Sequence, residues 1–515
     1  MKKIRLLDCT LRDGGYINDW LFGYQNIRDI IMELSRSGVD IIEVGFLRDV
    51  DYNKEATRWD KVEDIKKLLP FEKKNTLFAA MVLHGSYDIN KLSEYDGSSV
   101  DLIRVTFHDY DVKEGLLFCR QVKEKGYKVS CNPINIMGYT DKQLLQIIEQ
   151  VNQIYPYAFS IVDTFGSMSR RDLERIVELL DHNLKENIIL GLHLHENMAQ
   201  SYSLAQIFVD KYIKREAIVD GSLMGMGRVP GNLSIELMAE YLNDNMEKNY
   251  RIDYMLDAIE NHILPIREQN PWGYLPAYFL SAKYNLHRNY AEHYLEKEDL
   301  THKDINCLLS RISKGKKTTF DITYADKLYD EYLDVRVDDS SDKKKLAQVL
   351  KDKSLLLIAP GASLLQYKNR ILNYQKLDSV VSIAVNFIPE EIRAEYAFFT
   401  NNKRYDKMIK FNGDIITTSN LIPSGKYNMN YNGLKGDGSK YKSSIVMLLQ
   451  LLSEIGIKHV TVAGADGYNR GSKNYCDNTL KNKMKQYDEY NRHIAMEMSK
   501  LDIQIEFLTP SSYHI

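Results

Sequence analysis

The chain has 515 residues, 44% hydrophobic and 27% charged, a globular composition too long for one ordinary domain, so two or three are expected. A formal net charge of −3 excludes a bulk electrostatic pull toward nucleic acid or an anionic membrane. Five dispersed cysteines (Cys9, Cys119, Cys131, Cys307, Cys476) show no C-x-x-C spacing, and no apolar run approaches about 18 residues, so reduced thiols in a soluble, cytoplasmic protein without membrane insertion are expected.

From the N-terminus, β-rich runs alternate with amphipathic helical patterns. The runs cover residues 4–11, 39–46, 76–83, 102–108, 128–136, 159–164, 188–195 and 218–223. Between them apolar residues recur at helical spacing, as in Ile27, Ile30, Ile31, Leu34 and in Leu144, Ile147, Ile148, Val151. Gly38 and Gly126 stand where helices should end. Eight βα units within residues 1–250 predict a (β/α)₈ TIM barrel. Residues 251–337 predict a helical extension packing on the barrel, and the polar run that starts at Asp338 predicts a linker over 338–353. Over 354–515 a second alternation predicts a Rossmann-like α/β domain. Its strands are expected at 355–359, 380–385, 396–399, 415–418, 459–463 and 503–507, and its clearest helix at 443–454. Residues 424–442, with Gly425, Gly433, Gly436 and Gly438, predict a mobile loop.

In a TIM barrel the polar residues that matter end the strands. The first run leads into Thr10-Leu11-Arg12-Asp13-Gly14-Gly15-Tyr16, and the second carries Glu43. Later runs end near His84, near Arg104 and His108, and near Asp163. The seventh ends in His193-Leu194-His195, and the eighth leads into Gly225-Met226-Gly227-Arg228 and then Gly231-Asn232. His-x-His on a strand places both imidazoles on one face. With Asp13 from a strand end two places round the barrel, they make a divalent-metal site with open positions. The alternative is two ordinary polar residues at a strand end.

Several ordered motifs carry a family resemblance. Leu7-Asp8-Cys9-Thr10-Leu11-Arg12-Asp13-Gly14 resembles the opening motif of the DRE-TIM metallolyase superfamily. Ile42-Glu43-Val44-Gly45-Phe46, Asp163-Thr164-Phe165-Gly166, His193-Leu194-His195-Glu196-Asn197 and the stretch 225–232 resemble its later motifs in order, across residues 1–290. Arg104-Val105-Thr106-Phe107-His108 and Met224-Gly225-Met226-Gly227 are most similar to the 4-hydroxy-2-oxovalerate aldolase branch. The resemblance implies a carbon–carbon lyase that works through the enolate of a 2-oxo acid. Asp13, His193 and His195 would hold Mn²⁺ or Mg²⁺, with Asn232 a further candidate. Arg12 would be a second electrophile, one that keeps its charge at any working pH. Glu43 would act as a base or hold Arg12 in place.

Two departures stand out. The aldolase branch carries a His three residues after the motif Asp, and here that residue is Tyr16. A phenol of ordinary pKa near about 10 is a poor base at neutral pH. Tyr16 would then be an acid or orienting group, or His84 or His108 would take over. Arg48 and Arg228 suggest an anionic substrate, unless they are solvated surface charges. Asp163 and Tyr274 complete the substrate-binding candidates, Tyr274 with packing as its alternative.

In the second domain, Leu356-Leu357-Ile358-Ala359-Pro360-Gly361-Ala362-Ser363-Leu364 reads as strand, tight turn, helix. Asn386 ends the next strand, and Gly464-Ala465-Asp466 ends a later one. Together these resemble bacterial sialyltransferases and MptE-like nucleotide-binding domains. The resemblance implies a nucleotide or nucleotide-sugar site near Gly361, Ser363, Asn386 and Asp466, and suits surface-polysaccharide sugar metabolism. Expected partners are 2-oxo acid and aldehyde substrates, a nucleotide or nucleotide-sugar, and copies of the chain in a homo-oligomer. An acyl-CoA Claisen condensing enzyme of the same superfamily is an alternative. A glycosyltransferase or binding protein with the barrel as scaffold is another.

Overall fold

The computed structural model describes residues 3–513 apart from 71–74, 212–214, 298, 406–410, 436–441, 471–472, 478–479 and 481–485. The chain forms two compact units: Met1–Ala291 with Ser313–Phe320, and Glu292–Ile312 with Asp321–Ile515. The helical stretch after residue 250 is therefore shared between the two. Among the described residues, no helix is long and apolar enough to cross a membrane.

The first unit is a closed parallel barrel. Its strands are β1 (Ile4–Asp8), β2 (Ile41–Leu47), β4 (Leu77–Leu83), β5 (Leu102–Phe107), β6 (Lys128–Pro133), β7 (Ala158–Asp163), β8 (Ile189–Leu194) and β9 (Ala217–Gly221). A two-residue β3 (Arg58–Trp59) flanks β2. Strand order runs β1-β9-β8-β7-β6-β5-β4-β2, and the pairing of Leu7 with Ile41 closes the ring. The strands are near-continuous apolar runs because both of their faces are covered, and all seven residues of β2 are buried. Outside, each helix lays an apolar stripe on the ring. In Tyr24–Ser37 that stripe is Ile27, Ile30, Ile31 and Leu34, fully buried, and Gly38 ends the helix at φ +85°.

One departure from the sequence reading shapes the site. The run expected to stay extended over 4–11 stops at Asp8, and Thr10–Asp13 is a helical turn. The Asp8 carboxylate accepts from Thr10 N (2.9 Å) and Thr10 Oγ1 (2.7 Å), which folds the chain back at once. Burial pushes the Asp8 carboxyl up to about 7, against those two hydrogen bonds.

The second unit carries a seven-stranded parallel sheet in the order β14-β13-β12-β11-β10-β15-β16. The strands are β10 (Ser354–Ile358), β11 (Val380–Val385), β12 (Tyr396–Phe399), β13 (Asp414–Thr418), β14 (Tyr427–Met429), β15 (His459–Ala463) and β16 (Gln504–Phe507). Strand order reverses between β10 and β15, a topological switch point. The edge strand β14 and the turn Tyr431–Leu434 occupy part of the stretch expected to be a mobile loop, whose Gly436 and Gly438 lie outside the described residues. Asp342 and Asp339 hold β14 by accepting from Asn428 N (3.0 Å) and Asn430 N (2.9 Å). These two acids lie in the stretch expected as a linker, where Ser340–Leu350 is instead a helix with Leu346 and Leu350 fully buried.

Candidate active site

The turn Thr10–Asp13 carries Arg12 and Asp13 off the end of β1. Three hydrogen bonds fix it: Leu223 N donates to Thr10 Oγ1 (2.8 Å), Thr57 Oγ1 to Leu11 O (2.6 Å) and Trp20 Nε1 to Arg12 O (2.8 Å). His193 and His195 alternate on β8 and its end, and both face Asp13. His195 Nε2 lies 3.5 Å and His193 Nε2 3.9 Å from Asp13 Oδ2. One ligand atom from each of the three residues can be chosen so that all lie within 4.8 Å of one another.

The other ring nitrogens each face an oxygen. His195 Nδ1 meets Asp163 O at 3.0 Å, and His193 Nδ1 lies 3.2 Å from Asp220 Oδ2. Anchoring Nδ1 leaves His195 Nε2 to serve a cation, the usual support of a metal-binding imidazole. Among the described residues, Asp13 Oδ2, His195 Nε2 and Asn232 Oδ1 are buried without a hydrogen-bond partner. Orphaned acceptors at this density are what a divalent cation would satisfy, so the donor set fits a divalent metal ion. Asn232 Nδ2 donates to Met226 O (3.3 Å), and Asn232 bridges His195 through the backbone.

Below the imidazoles runs a buried charge network. Arg12 pairs with Asp13 and with Glu43 (Nε to Oε2, 2.7 Å). Arg104 pairs with the same Glu43 oxygen (3.1 Å) and with Asp220. Burial pushes the Asp13 carboxyl up, but Arg12 and the two imidazoles outweigh it and hold it well below the usual range. Burial acts the same way on Asp220, where Arg104 and His193 win. Burial lowers the His193 imidazole, which favours its neutral, metal-binding form. Arg12 spends Nε and Nη1 on carboxylates and keeps Nη2 without a partner.

A family model described as HMGL-like matches residues 3–260, half of the chain. The chain belongs to the HMGL-like family. A 4-hydroxy-2-oxovalerate aldolase of Roseiflexus castenholzii is 24% identical over 53% of this chain and 80% of its own length. An oxaloacetate decarboxylase of Mycobacterium tuberculosis is 23% identical over 52% of this chain and 80% of its own length. Among solved structures, an HMG-CoA lyase of Bacillus subtilis superposes with a TM-score of 0.43 and 18% identity, covering 53% of this chain and 94% of that one. These two curated relatives of this HMGL-like chain are thus an aldolase and a decarboxylase by name.

Arg12, Asp13, His193 and His195 of this HMGL-like chain line one cavity of about 260 Å³, together with Tyr16, Arg48, Arg104, His108, Arg228 and His287. Other expected site residues lie elsewhere. Glu43 is fully buried beneath the floor between Arg12 and Arg104, which makes it a holder of arginines. The Asp163 carboxylate caps the loop after β7, accepting from Ser167 N (2.9 Å) and Met168 N (3.0 Å). His84 sits outside the cavity lining with its Nε2 3.3 Å from Asp111. Tyr274 is 55% exposed and is not in the lining either. Tyr16 packs edge-on against Trp20, and His108 stacks on Tyr110 with ring centroids 4.7 Å apart.

Sequence reasoning missed Asp220, His287 and the wall formed by Thr318, Thr319 and Phe320. Asp220 was signalled only as a lone acid inside the apolar run Ala217-Ile218-Val219-Asp220. The other residues follow the last barrel strand, and no pattern ties them to it.

In the second unit a cavity of about 730 Å³ opens at the carboxyl ends of β10, β11, β12 and β15. Gly361, Asn386 and Asp466 line it, and Ser363 does not. Ser363 donates to Asp466 through N (2.7 Å) and through Oγ, so this turn already serves a carboxylate. Asn386 is tied to Thr400, accepting from its N (2.9 Å) and donating to its Oγ1 (3.1 Å).

Proposed function

We propose that the barrel catalyses Mn²⁺- or Mg²⁺-dependent making or breaking of a carbon–carbon bond beside a 2-oxo acid, in the manner of a pyruvate aldolase. The observation that carries this reading is the convergence of Asp13, His193 and His195 on one point beside an arginine with an unused donor. Bound there, a dication supplies an electrophile to the keto oxygen of the substrate. Arg12 then offers Nη2 to the oxygen that gains charge in the enolate, and Glu43 and Asp13 keep its planar fork aimed. Cleavage of a 4-hydroxy-2-oxo acid needs a base for the hydroxyl proton. Of the three candidates, Tyr16 and His108 line the cavity, and imidazole is the group suited to general base work near neutral pH. His108 is therefore assigned that proton and Tyr16 an orienting contact.

Exchange of the pyruvate C3 protons with deuterated water tests the enolate step without needing the aldehyde. The Mn²⁺-loaded protein should exchange them. Arg12→Lys should lose roughly a hundredfold or more while binding Mn²⁺ as the wild type does, because Lys keeps the charge but not the fork. Exchange at the wild-type rate would remove Arg12 from the chemistry. His195→Ala should lose the metal itself. The intact set also argues against a barrel reduced to a scaffold.

A second reading concerns the other unit. A large polar cavity at the switch point of a parallel sheet is where such sheets bind ligands. It supports a nucleotide or nucleotide-sugar site with Gly361, Asn386 and Asp466 in its wall and Ser363 holding Asp466.

A further inference from the structure

Behind His108, which follows β5, the chain sets a carboxylate that its own helix does not use. Asp111 stands at the N-cap of the helix Val112–Glu124. Aspartate at that position ordinarily accepts from N–H groups of the helix it caps. The Asp111 side chain makes no such bond. It turns back instead. Its Oδ1 accepts from His108 N (2.6 Å), and its Oδ2 lies 3.6 Å from His108 Nδ1 and 3.3 Å from His84 Nε2. His84, at the end of β4, donates its backbone N–H to Thr106 O (3.1 Å), which sets it beside the neighbouring strand β5. Tyr110 stacks on the His108 ring with the two planes 8° apart. His108 and Tyr110 line the barrel cavity, whereas Asp111 and His84 do not. One carboxylate thus sits behind the cavity wall between two imidazoles. The other titratable groups near His108 are His287, Arg228 and Tyr16, which line the same cavity.

A carboxylate facing Nδ1 holds a proton there and leaves Nε2 as the acceptor, and it stabilises the imidazolium once Nε2 has taken a proton. We propose that Asp111 is the positioning residue of the general base: it fixes the tautomer and aim of His108, and His84 braces the far side of its carboxylate. The proposal rests on the aldolase reading with His108 as its base. In cleavage, His108 Nε2 takes the proton of the 4-hydroxyl. The O–H pair becomes the aldehyde carbonyl, and the C3–C4 pair passes into the enolate. His108 then returns a proton to C3, which completes pyruvate and leaves the imidazole neutral. Asp111 stays a carboxylate throughout. Its 3.6 Å separation from Nδ1 is longer than a hydrogen bond, and positive charge on His108 draws the two together.

The Mn²⁺-loaded full chain is given 4-hydroxy-2-oxopentanoate, 4-hydroxy-2-oxohexanoate and 4-hydroxy-2-oxoglutarate, and pyruvate release is followed. On whichever of these the wild type cleaves, Asp111→Asn should lower kcat about a hundredfold and leave KM within about threefold, because its amide donates to Nδ1 and favours the wrong tautomer. Mn²⁺ titration of the variant should match wild type. Asp111→Glu, which keeps the charge, should recover about tenfold of the loss, and His84→Ala should lower kcat by about threefold to tenfold. His108→Gln should lose as much alone as when combined with Asp111→Asn, since Asp111 acts through His108. If Asp111→Asn keeps its kcat, or if the two losses multiply in the double variant, the proposal falls and His108 stands as the base. A wild-type rate in His84→Ala strikes the brace from the proposal. If His108→Gln cleaves as the wild type does, the base assignment falls and the proposal with it. A wild type that exchanges pyruvate C3 protons but cleaves none of the three acids also overturns it, because no hydroxyl proton is then there to be taken. If even that exchange is absent, the aldolase reading itself falls.

Discussion

Asp220 serves two neighbours at once: it neutralises Arg104, and its carboxylate lies 3.2 Å from His193 Nδ1. Asp220→Asn keeps the shape and removes the charge. Arg104 is then buried with one carboxylate fewer, a change that costs about 3–5 kcal/mol when such a pair is broken. Metal affinity should fall by roughly 10–100-fold, as for other lost partners of metal-bound imidazoles. Calorimetric Mn²⁺ titration and urea unfolding measure the two effects, and a variant unchanged in both would reduce the network to decoration. His287 makes a pH prediction. Its folded pKa is pushed down to about 3 from the usual 6.5, so between these values the unfolded chain holds more protons than the folded one. Stability from this group is complete above about pH 6.5 and is lost as pH falls toward 3. Between about pH 4.5 and 6.5, above the range of ordinary carboxylates, His287→Gln should show a shallower loss of stability than wild type; parallel urea midpoints across that window would refute it. These two residues also mark what the sequence hides. Arg12, Asp13, His193 and His195 were legible because one short motif or one strand alternation brings each set together. Asp220 matters through Arg104 and His193, and His287 through Arg228, partners distant in the chain that no local pattern records.

At the scale of elements, both sheets were legible because buried parallel strands are plain apolar runs with glycine or polar punctuation. All eight barrel strands and six of the seven in the second sheet answer to such runs. The one that does not, Tyr427-Asn428-Met429, is three residues long, carries a polar residue at its centre, and is held by Asp339 and Asp342 from outside. Strand order and ring closure were not written in any single run. The loop joining β10 to its helix shows why a turn glycine is there. A Cβ on Gly361 would lie 2.3 Å from Gly464 O and 2.5 Å from Asp466 Cγ. The glycine lets the ends of β10 and β15 meet, and a nucleotide at that turn is not needed to explain it. Gly361→Ala should destabilise the second unit by about 1–3 kcal/mol, the usual cost of overpacking. Gly315→Ala, with nothing within 4 Å of its new methyl, should stay near neutral in the same urea series. Equal midpoints for the two variants would mean that the β10–β15 contact yields freely.

For the molecule as a whole, two units carry two cavities of different character. The barrel cavity is small and cationic, whereas the other is about 730 Å³, which is room for a nucleotide carrying a further group. The wall of this larger cavity draws on Glu296, Lys297 and Asp299 and on Asp326, Tyr329 and Asp330, all of them before residue 338. A fragment starting after the expected linker would lack that wall, so the nucleotide reading has to be tested on the full chain. Arg404 and Lys442 offer positive charge, Lys442 lying 4.2 Å from the Tyr329 ring centroid. Tyr468 and Tyr490, with centroids 5.2 Å apart, offer an aromatic face. On the nucleotide reading, Asp466 would be an acceptor for sugar hydroxyls at the switch point, the role carboxylates play at such edges. Titration of the full chain with cytidine and uridine mono- and diphosphates and their sugar conjugates should give one site per chain with Kd below about 1 mM, worth about 4 kcal/mol. Asp466→Asn should weaken it by about tenfold, since a charge-assisted hydrogen bond becomes a neutral one. His195→Ala, which empties the other site, should bind the nucleotide as wild type does. If no member of the panel releases or takes up heat at 5 mM while Mn²⁺ still titrates normally, the protein is folded, the barrel reading survives, and the large cavity takes something other than a nucleotide.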